Sequence, residues 1–189
     1  MNRLIVLLCV CFSLMAGNVL AQLPTFSKGD NVVSASLGFG GTLFSGYTYY
    51  KGYTRLPAFT ATFEHCVVDN LFDEKSSIGV GGIFGVASAS YNSGVYGWRS
   101  TSYIIGARGA FHYSFVDKLD TYAGTAIGYN INTWKWTGNR NNNDRNLSSS
   151  GMTAYFFVGA RYYFTDSFGA FAELGYGFAF FNLGVSLKF

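Results

Sequence analysis

The sequence predicts an all-β chain, an eight-stranded antiparallel transmembrane β-barrel with short turns at one end and longer loops at the other. Three observations carry this expectation. Apolar residues recur with period two in eight segments, the breaks between segments alternate in length and character, and the composition is poor in charge. Charged residues make up 12% of the chain and aromatic residues 19%, whereas soluble domains carry about 25% charged residues. A surface that need not face water explains both departures.

Residues 1–21, MNRLIVLLCVCFSLMAGNVLA, read as a signal peptide. Arg3 supplies the positive start, Leu4 to Ala16 the apolar stretch, and Val19-Leu20-Ala21 a small-residue cleavage pattern. Ser13, Gly17 and Asn18 interrupt the apolar run, which argues against a retained membrane helix. Cleavage after Ala21 is expected, leaving residues 22–189 as one barrel domain that starts at Gln22. Cys9 and Cys11 follow bulky residues, which disfavours a lipid anchor. Only Cys66 then remains, so no disulfide framework and no cysteine-based metal site is expected.

The mature chain holds no run of apolar residues long enough for a spanning helix. Its alternation instead marks strands. The first is 31–41, with Val33, Ala35, Leu37 and Phe39 on one face. In 57–68, Phe59, Ala61 and Phe63 oppose Thr60, Thr62 and Glu64. In 76–89, Ile78, Val80, Phe84 and Val86 oppose Gly79, Gly81, Gly85 and Ala87. In 101–115, Ile105, Ala107 and Phe111 oppose Arg108, His112 and Ser114. In 121–135, Ala123, Ile127 and Tyr129 oppose Gly124, Gly128 and Asn130. In 152–164, Phe156, Val158 and Tyr162 oppose Gly159 and Arg161. In 168–177, Ala172 and Leu174 oppose Glu173 and Gly175. The last, 181–189, sets Leu183, Val185, Leu187 and Phe189 against Asn182, Gly184, Ser186 and Lys188.

The breaks at 69–75, 116–120 and 165–167 are short and contain Asp, as tight turns prefer. Those at 42–56, 90–100 and 136–151 are longer, the pattern of a barrel with periplasmic turns and extracellular loops. In hydrocarbon a sheet survives only if it closes, and eight strands leave an interior just wide enough for side chains. An even strand number also leaves both termini on the periplasmic side. Tyr47, Tyr49, Tyr50, Trp98, Trp134 and Trp136 gather at the long-loop ends, and Phe115, Tyr163, Phe164, Phe168 and Phe189 at the short-turn ends. These read as two interfacial aromatic girdles.

The ending NLGVSLKF carries a resemblance. Asn182, Gly184, Leu187 and Phe189 match the polar-x-Gly-x-x-apolar-x-aromatic insertion signal of small outer-membrane barrels, and the chain resembles the OmpA/OmpX-like "outer membrane protein beta-barrel domain" family of Bacteroidota-like, Gram-negative bacteria. Residues 162–189 are the most family-like part. The resemblance implies outer-membrane localisation after signal-directed export. It also implies recognition of the last strand by the barrel-assembly machinery, and contact with outer-membrane lipid and lipopolysaccharide. No peptidoglycan-binding domain follows the barrel, so a cell-wall tether is not implied.

Five charges fall on the inward face: Glu64, Arg108, Arg161, Glu173 and Lys188. Unpaired burial of charge is costly, so a lumen ion-pair network is expected. Arg161 and Glu173 lie at similar distances from the turn near 165–168, which predicts that they pair across it. His112-x-Ser114 is similar to the His-x-Ser pair that lipid A deacylases, also eight-stranded, use with a Glu. It lies near a short turn and faces inward, with no Glu at a comparable later position on the next strand, and reads as two ordinary polar lumen residues. His65 reads as interfacial rather than a metal ligand. The loop 134–151 carries Arg140 and Arg145, suited to phosphates of lipopolysaccharide or to a host or surface ligand.

With a net charge of +3 and scattered cations, nothing points to nucleic acid. No catalytic set, cofactor site or metal site is predicted. The function expected is a non-catalytic structural or surface-interaction role in the cell envelope. A narrow porin-like channel is the first alternative, and a lipid-modifying enzyme the second. A soluble lipocalin-type barrel is the architectural rival, and would place the bulky apolar residues inside.

Overall fold

The computed structural model describes residues 25–42, 53–94, 96–138 and 148–189. The predicted signal peptide, Tyr47, Tyr49, Tyr50, Arg140 and Arg145 lie outside them. Among the described residues there are nine strands: β1 (Asn31–Phe39), β2 (Tyr53–Arg55), β3 (Ala58–Asp69), β4 (Ser76–Asn92), β5 (Tyr96–Val116), β6 (Leu119–Gly138), β7 (Ser148–Tyr163), β8 (Phe168–Tyr176) and β9 (Phe181–Lys188). Eight of them pair antiparallel in the ring β1-β3-β4-β5-β6-β7-β8-β9, and β9 returns to β1 through Val32↔Lys188 to Phe39↔Phe181. The predicted barrel is therefore closed.

β2 is the upward continuation of β3. Arg55 faces Ala89 while Phe59 faces Val86, so this side carries one extra residue between the two pairs. Pro57 causes the break, because it has no N–H to give the ladder. Leu56 bonds the Ser88 carbonyl at 3.0 Å on the way past.

Alternation sorts the wall into two faces. Leu37, Phe63, Phe84, Ile105, Ile127, Phe156, Leu174 and Leu183, one from each ring strand, are exposed on the outside. Ser34, Thr60, Glu64, Arg108, His112, Arg161, Glu173 and Asn182 are buried inside. This is the reverse of a lipid-carrying soluble barrel, whose bulky apolar residues would point inward.

The wall is uneven in height. β4 to β7 run for 16 to 21 residues, whereas β1, β8 and β9 have eight or nine. The stretch 90–100, expected to be a loop, is largely strand. β4 continues to Asn92 and β5 begins at Tyr96, and Gly94 turns the chain at φ 87°. Part of 42–56 likewise forms β2, and 148–151 begins β7.

The girdle expectation needs correcting at four residues, one of them Trp136, which stands opposite Trp98 in the ladder and so shares its face. Trp98 and Trp134 face the lumen, with ring centroids 4.8 Å apart, and Trp98 is 8% exposed. Both have the parity of Ser100 and Ser102, which point inward. Tyr163 also lies inside, because it alternates with the outward Tyr162. Phe115, Phe164, Phe168 and Phe189 are exposed at the turn end.

Inward glycines make room for bulkier side chains beside them in the lumen. A Cβ on Gly159 would stand 2.5 Å from Tyr122 Cζ. Gly159→Val is expected to lower barrel stability by about 1–3 kcal/mol through overpacking. Tyr122→Leu in the same chain is expected to restore part of the loss. The urea midpoint for loss of the heat-modifiable gel band measures both.

Candidate functional site

The lumen is filled at successive levels, and its lower half is built around four charged or titratable side chains from four strands. Arg161 on β7 sends Nη1 to Asp120 Oδ2 at 3.0 Å and Nη2 to Glu64 Oε2 at 3.3 Å. His112 on β5 meets the remaining oxygens, with Nδ1 2.9 Å from Asp120 Oδ1 and Nε2 2.9 Å from Glu64 Oε1. Each carboxylate thus bridges the guanidinium and the imidazole, with Asp120 Oδ2 also 3.1 Å from His112 Nδ1, and the four groups form a closed ring. An imidazole donates from both nitrogens only as the cation, and in that form two positive charges meet two negative ones. Arg161 Nε also donates to Ser186 Oγ at 3.1 Å.

Above this ring, Arg108 Nη2 reaches Glu173 Oε2 at 3.2 Å. Asn182 Nδ2 donates to the other Glu173 oxygen at 3.4 Å. The Arg108 guanidinium lies 4.1 Å from the centre of the Phe157 ring, a favourable cation–π contact. Tyr122 separates the two levels, with Arg161 5.2 Å and Arg108 6.0 Å from its ring centre.

The ladder register overturns the expected Arg161–Glu173 pair. Glu173 stands opposite Gly159, and Arg161 stands opposite Phe171 on that side and Asp120 on the other. Asp120 is the residue that sequence reasoning missed. By residue type and position it reads as part of the 116–120 turn, but β6 begins at Leu119 and Asp120 is fully buried. Its parity with Gly124 and Gly128 was the available signal. Lys188 does not join the ring. At the barrel rim its Nζ donates to the Thr25 carbonyl at 2.9 Å and lies 3.8 Å from Asp30.

Both ends of the lumen are closed by segments outside the ring strands. At the turn end, residues 25–30 fold back under the barrel. Phe26 is buried, with its ring centroid 4.5 Å from that of His112 and its side chain clustered with Val32 and Cys66. Thr25 N–H donates to Ser114 Oγ at 3.0 Å, Gly29 N–H to the Cys66 carbonyl at 3.1 Å, and Cys66 N–H to the Asp30 carbonyl at 2.9 Å. At the loop end, Gly177 (φ 139°) turns the β8–β9 connection inward. Phe178 enters the lumen there and packs with Ala58, Ala87, Ala89, Trp98 and Ile104. The Arg55 guanidinium bonds the carbonyls of Gly40 and Gly41 nearby.

This arrangement holds structure and leaves little room for chemistry. Both His112 nitrogens are engaged by carboxylates, so neither stands ready to take a proton from Ser114. Phe26 covers the pair from below. His112 and Ser114 do face inward near a short turn, as expected, but His112 is a centre of the network rather than an ordinary polar filler. His65 Nδ1 lies 2.9 Å from Asn31 Oδ1 on the outside. Among the described residues no group of three His, Cys, Asp or Glu is arranged to hold a metal ion.

No family model matches the sequence, and no curated protein does. Solved structures share the fold. The attachment invasion locus protein Ail of Yersinia pestis, solved in complex with the heparin analogue sucrose octasulfate, is 12% identical with a TM-score of 0.52, over 86% of this chain and 99% of that chain. The N-terminal β-barrel domain of Pseudomonas aeruginosa OprF is 14% identical with a TM-score of 0.47, over 86% of this chain and 98% of that chain. The likeness to Ail shows an eight-stranded outer-membrane type of barrel.

Two outcomes test the interior. Arg161→Gln strips one partner from both carboxylates and is expected to destabilise the barrel by about 3–5 kcal/mol, read from its urea midpoint in lipid. Phe26→Ala is expected to open the lower lumen without unfolding it. Cys66, buried behind Phe26, then reacts with a maleimide that leaves the folded wild-type chain unlabelled. Equal protection in both proteins would show that Phe26 is not the seal.

Proposed function

We propose that this chain is a closed, non-catalytic outer-membrane barrel with a structural or surface-interaction role in the envelope. The observation that carries the reading is an apolar outer wall around a lumen stopped at several levels. From one end to the other these are Phe26, the Glu64–His112–Asp120–Arg161 ring, the Arg108–Glu173 pair and Phe178. Beside Arg108 and Glu173 lies a cavity of about 20 Å³, on the scale of a water molecule. Such an interior favours stability over flux, which weighs against the narrow porin. A lipid-modifying enzyme would need a base and a nucleophile open to lipid, and His112 and Ser114 are covered.

Export through a signal peptide at 1–21 belongs to the same proposal. So does assembly through Asn182, Gly184, Leu187 and Phe189. Support comes from β9, whose outward residues Leu183, Val185 and Leu187 are exposed, as is Phe189 just after it, while Asn182 and Ser186 on its other face are buried in the lumen. Activity would then reside in the outer wall and the loops, including Arg140 and Arg145. Ail was solved with a heparin analogue bound, and an anionic surface ligand for the present chain belongs to the same proposal.

The mature chain is expected in the outer-membrane fraction as a heat-modifiable band, and deletion of Phe189 is expected to reduce that band. In planar bilayers the purified barrel is expected to give no conductance steps. Stepwise conductance of the wild-type chain, altered in Glu173→Gln, would replace this reading with a gated pore.

A further inference from the structure

The tall wall changes chemistry in steps along the β5–β6 hairpin. Ile105 stands opposite Tyr129, Tyr103 opposite Ile131, Thr101 opposite Thr133, and Arg99 opposite Lys135. All eight share the outward face, by alternation with the buried Trp98, Ser100, Ser102 and Ile104. Going up the wall, two apolar rows give way to a hydroxyl row and then to a row of two cations.

The cation row is the unusual one. Like charges directly across a ladder repel, and Cα atoms so placed are only about 4.5–5.5 Å apart. Arg99 and Lys135 are both exposed. Neither makes an ion pair among the described residues. Two adjacent cations with no ion-pair partner among the described residues are suited to an external anion, and a guanidinium beside an ammonium suits phosphate oxygens. Among the described residues the low wall has no counterpart; it ends on the exposed aromatics Phe39, Tyr176 and Phe181.

We propose that this wall is a binding site for a phosphorylated glycolipid. Arg99 and Lys135 hold the phosphate, Thr101 and Thr133 lie at the level of the sugar, and Tyr103 and Ile131 contact the upper acyl chain. The cations lie four residues above Tyr103, about 13 Å along the strand. Strand tilt and the long flexible stems shorten that distance toward the headgroup level. The site rests on the membrane reading proposed above and adds to it a ligand chemistry and a side of the barrel.

The test uses the folded chain in phosphatidylcholine nanodiscs doped with diphosphoryl lipid A. Native mass spectrometry counts the lipid A retained per barrel. Wild type is expected to retain it, and Arg99→Gln/Lys135→Gln to retain at least about tenfold less, since two charge-assisted hydrogen bonds are lost. Lipid A without phosphates is expected to be lost from both proteins. Added inorganic phosphate is expected not to displace the lipid, because it lacks the acyl chains that hold the ligand on the wall. Equal retention by the double variant, equal retention of dephosphorylated lipid A, or full displacement by inorganic phosphate would each overturn the site. In those cases a heat-modifiable barrel inserted in the disc leaves the membrane reading standing. A chain that never enters the disc removes both.

Discussion

Closure of the backbone ladder between β1 and β9 is the constraint on which the other features depend. In hydrocarbon an unpaired amide or carbonyl has no water to turn to, so the first and last ring strands must satisfy each other. They do so over eight consecutive residue pairs, from Val32↔Lys188 to Phe39↔Phe181. Once eight strands close, lumen width is fixed and side chains must fill it. Glycine at 79 and 159 follows from that width, because their neighbours Glu64, Phe26 and Tyr122 occupy the space a Cβ would need.

The same narrow lumen dictates how its charges are arranged. A single buried ion is too costly to keep, so the fully buried cations among the described residues are matched. Arg108 has Glu173, while Arg161 and His112 share Glu64 and Asp120. Two of the matches run between ladder neighbours, from Asp120 on β6 to Arg161 on β7 and to His112 on β5, and the others cross the barrel. Glu64 on β3 joins β7 and β5, and Glu173 on β8 joins β5. Strands that are not ladder neighbours are therefore tied through the interior, which makes the network a brace for the barrel's cross-section as well as a stopper.

Much of the wall was legible in the sequence, because period-two alternation in a barrel has only two faces to choose between. Parity alone puts Leu37, Ile105 and Leu183 on one face and Glu64, Arg108 and Arg161 on the other. What parity cannot supply is stagger. Two residues at similar distances from a turn need not face each other, and the register places Arg161 beside Asp120 while Glu173 passes to Arg108. Strand ends were also hidden. Asp120 looks like a turn residue by type, and Trp98 and Trp134 look interfacial, because sequence does not reveal that β5 and β6 rise past the apolar band. Phe26 precedes the first strand and carries no periodic signal; only the folded chain shows that it turns back into the lumen.

A filled interior changes where function is to be sought. His112 has the chemistry that usually attracts attention in a barrel, yet every polar atom of its ring is already engaged. Arg99 and Lys135 have the opposite character. They are ordinary surface cations by type, but the ladder holds them side by side, and folding within the described residues supplies neither with a counterion. Where a structure has satisfied its buried charges this thoroughly and left two adjacent exposed ones unmatched, the unmatched pair is the better indication of an external partner. The height difference between the walls points the same way. Among the described residues only the long strands lift hydroxyl and cationic rows above the apolar band, and the short strands stop on aromatics before such rows can form.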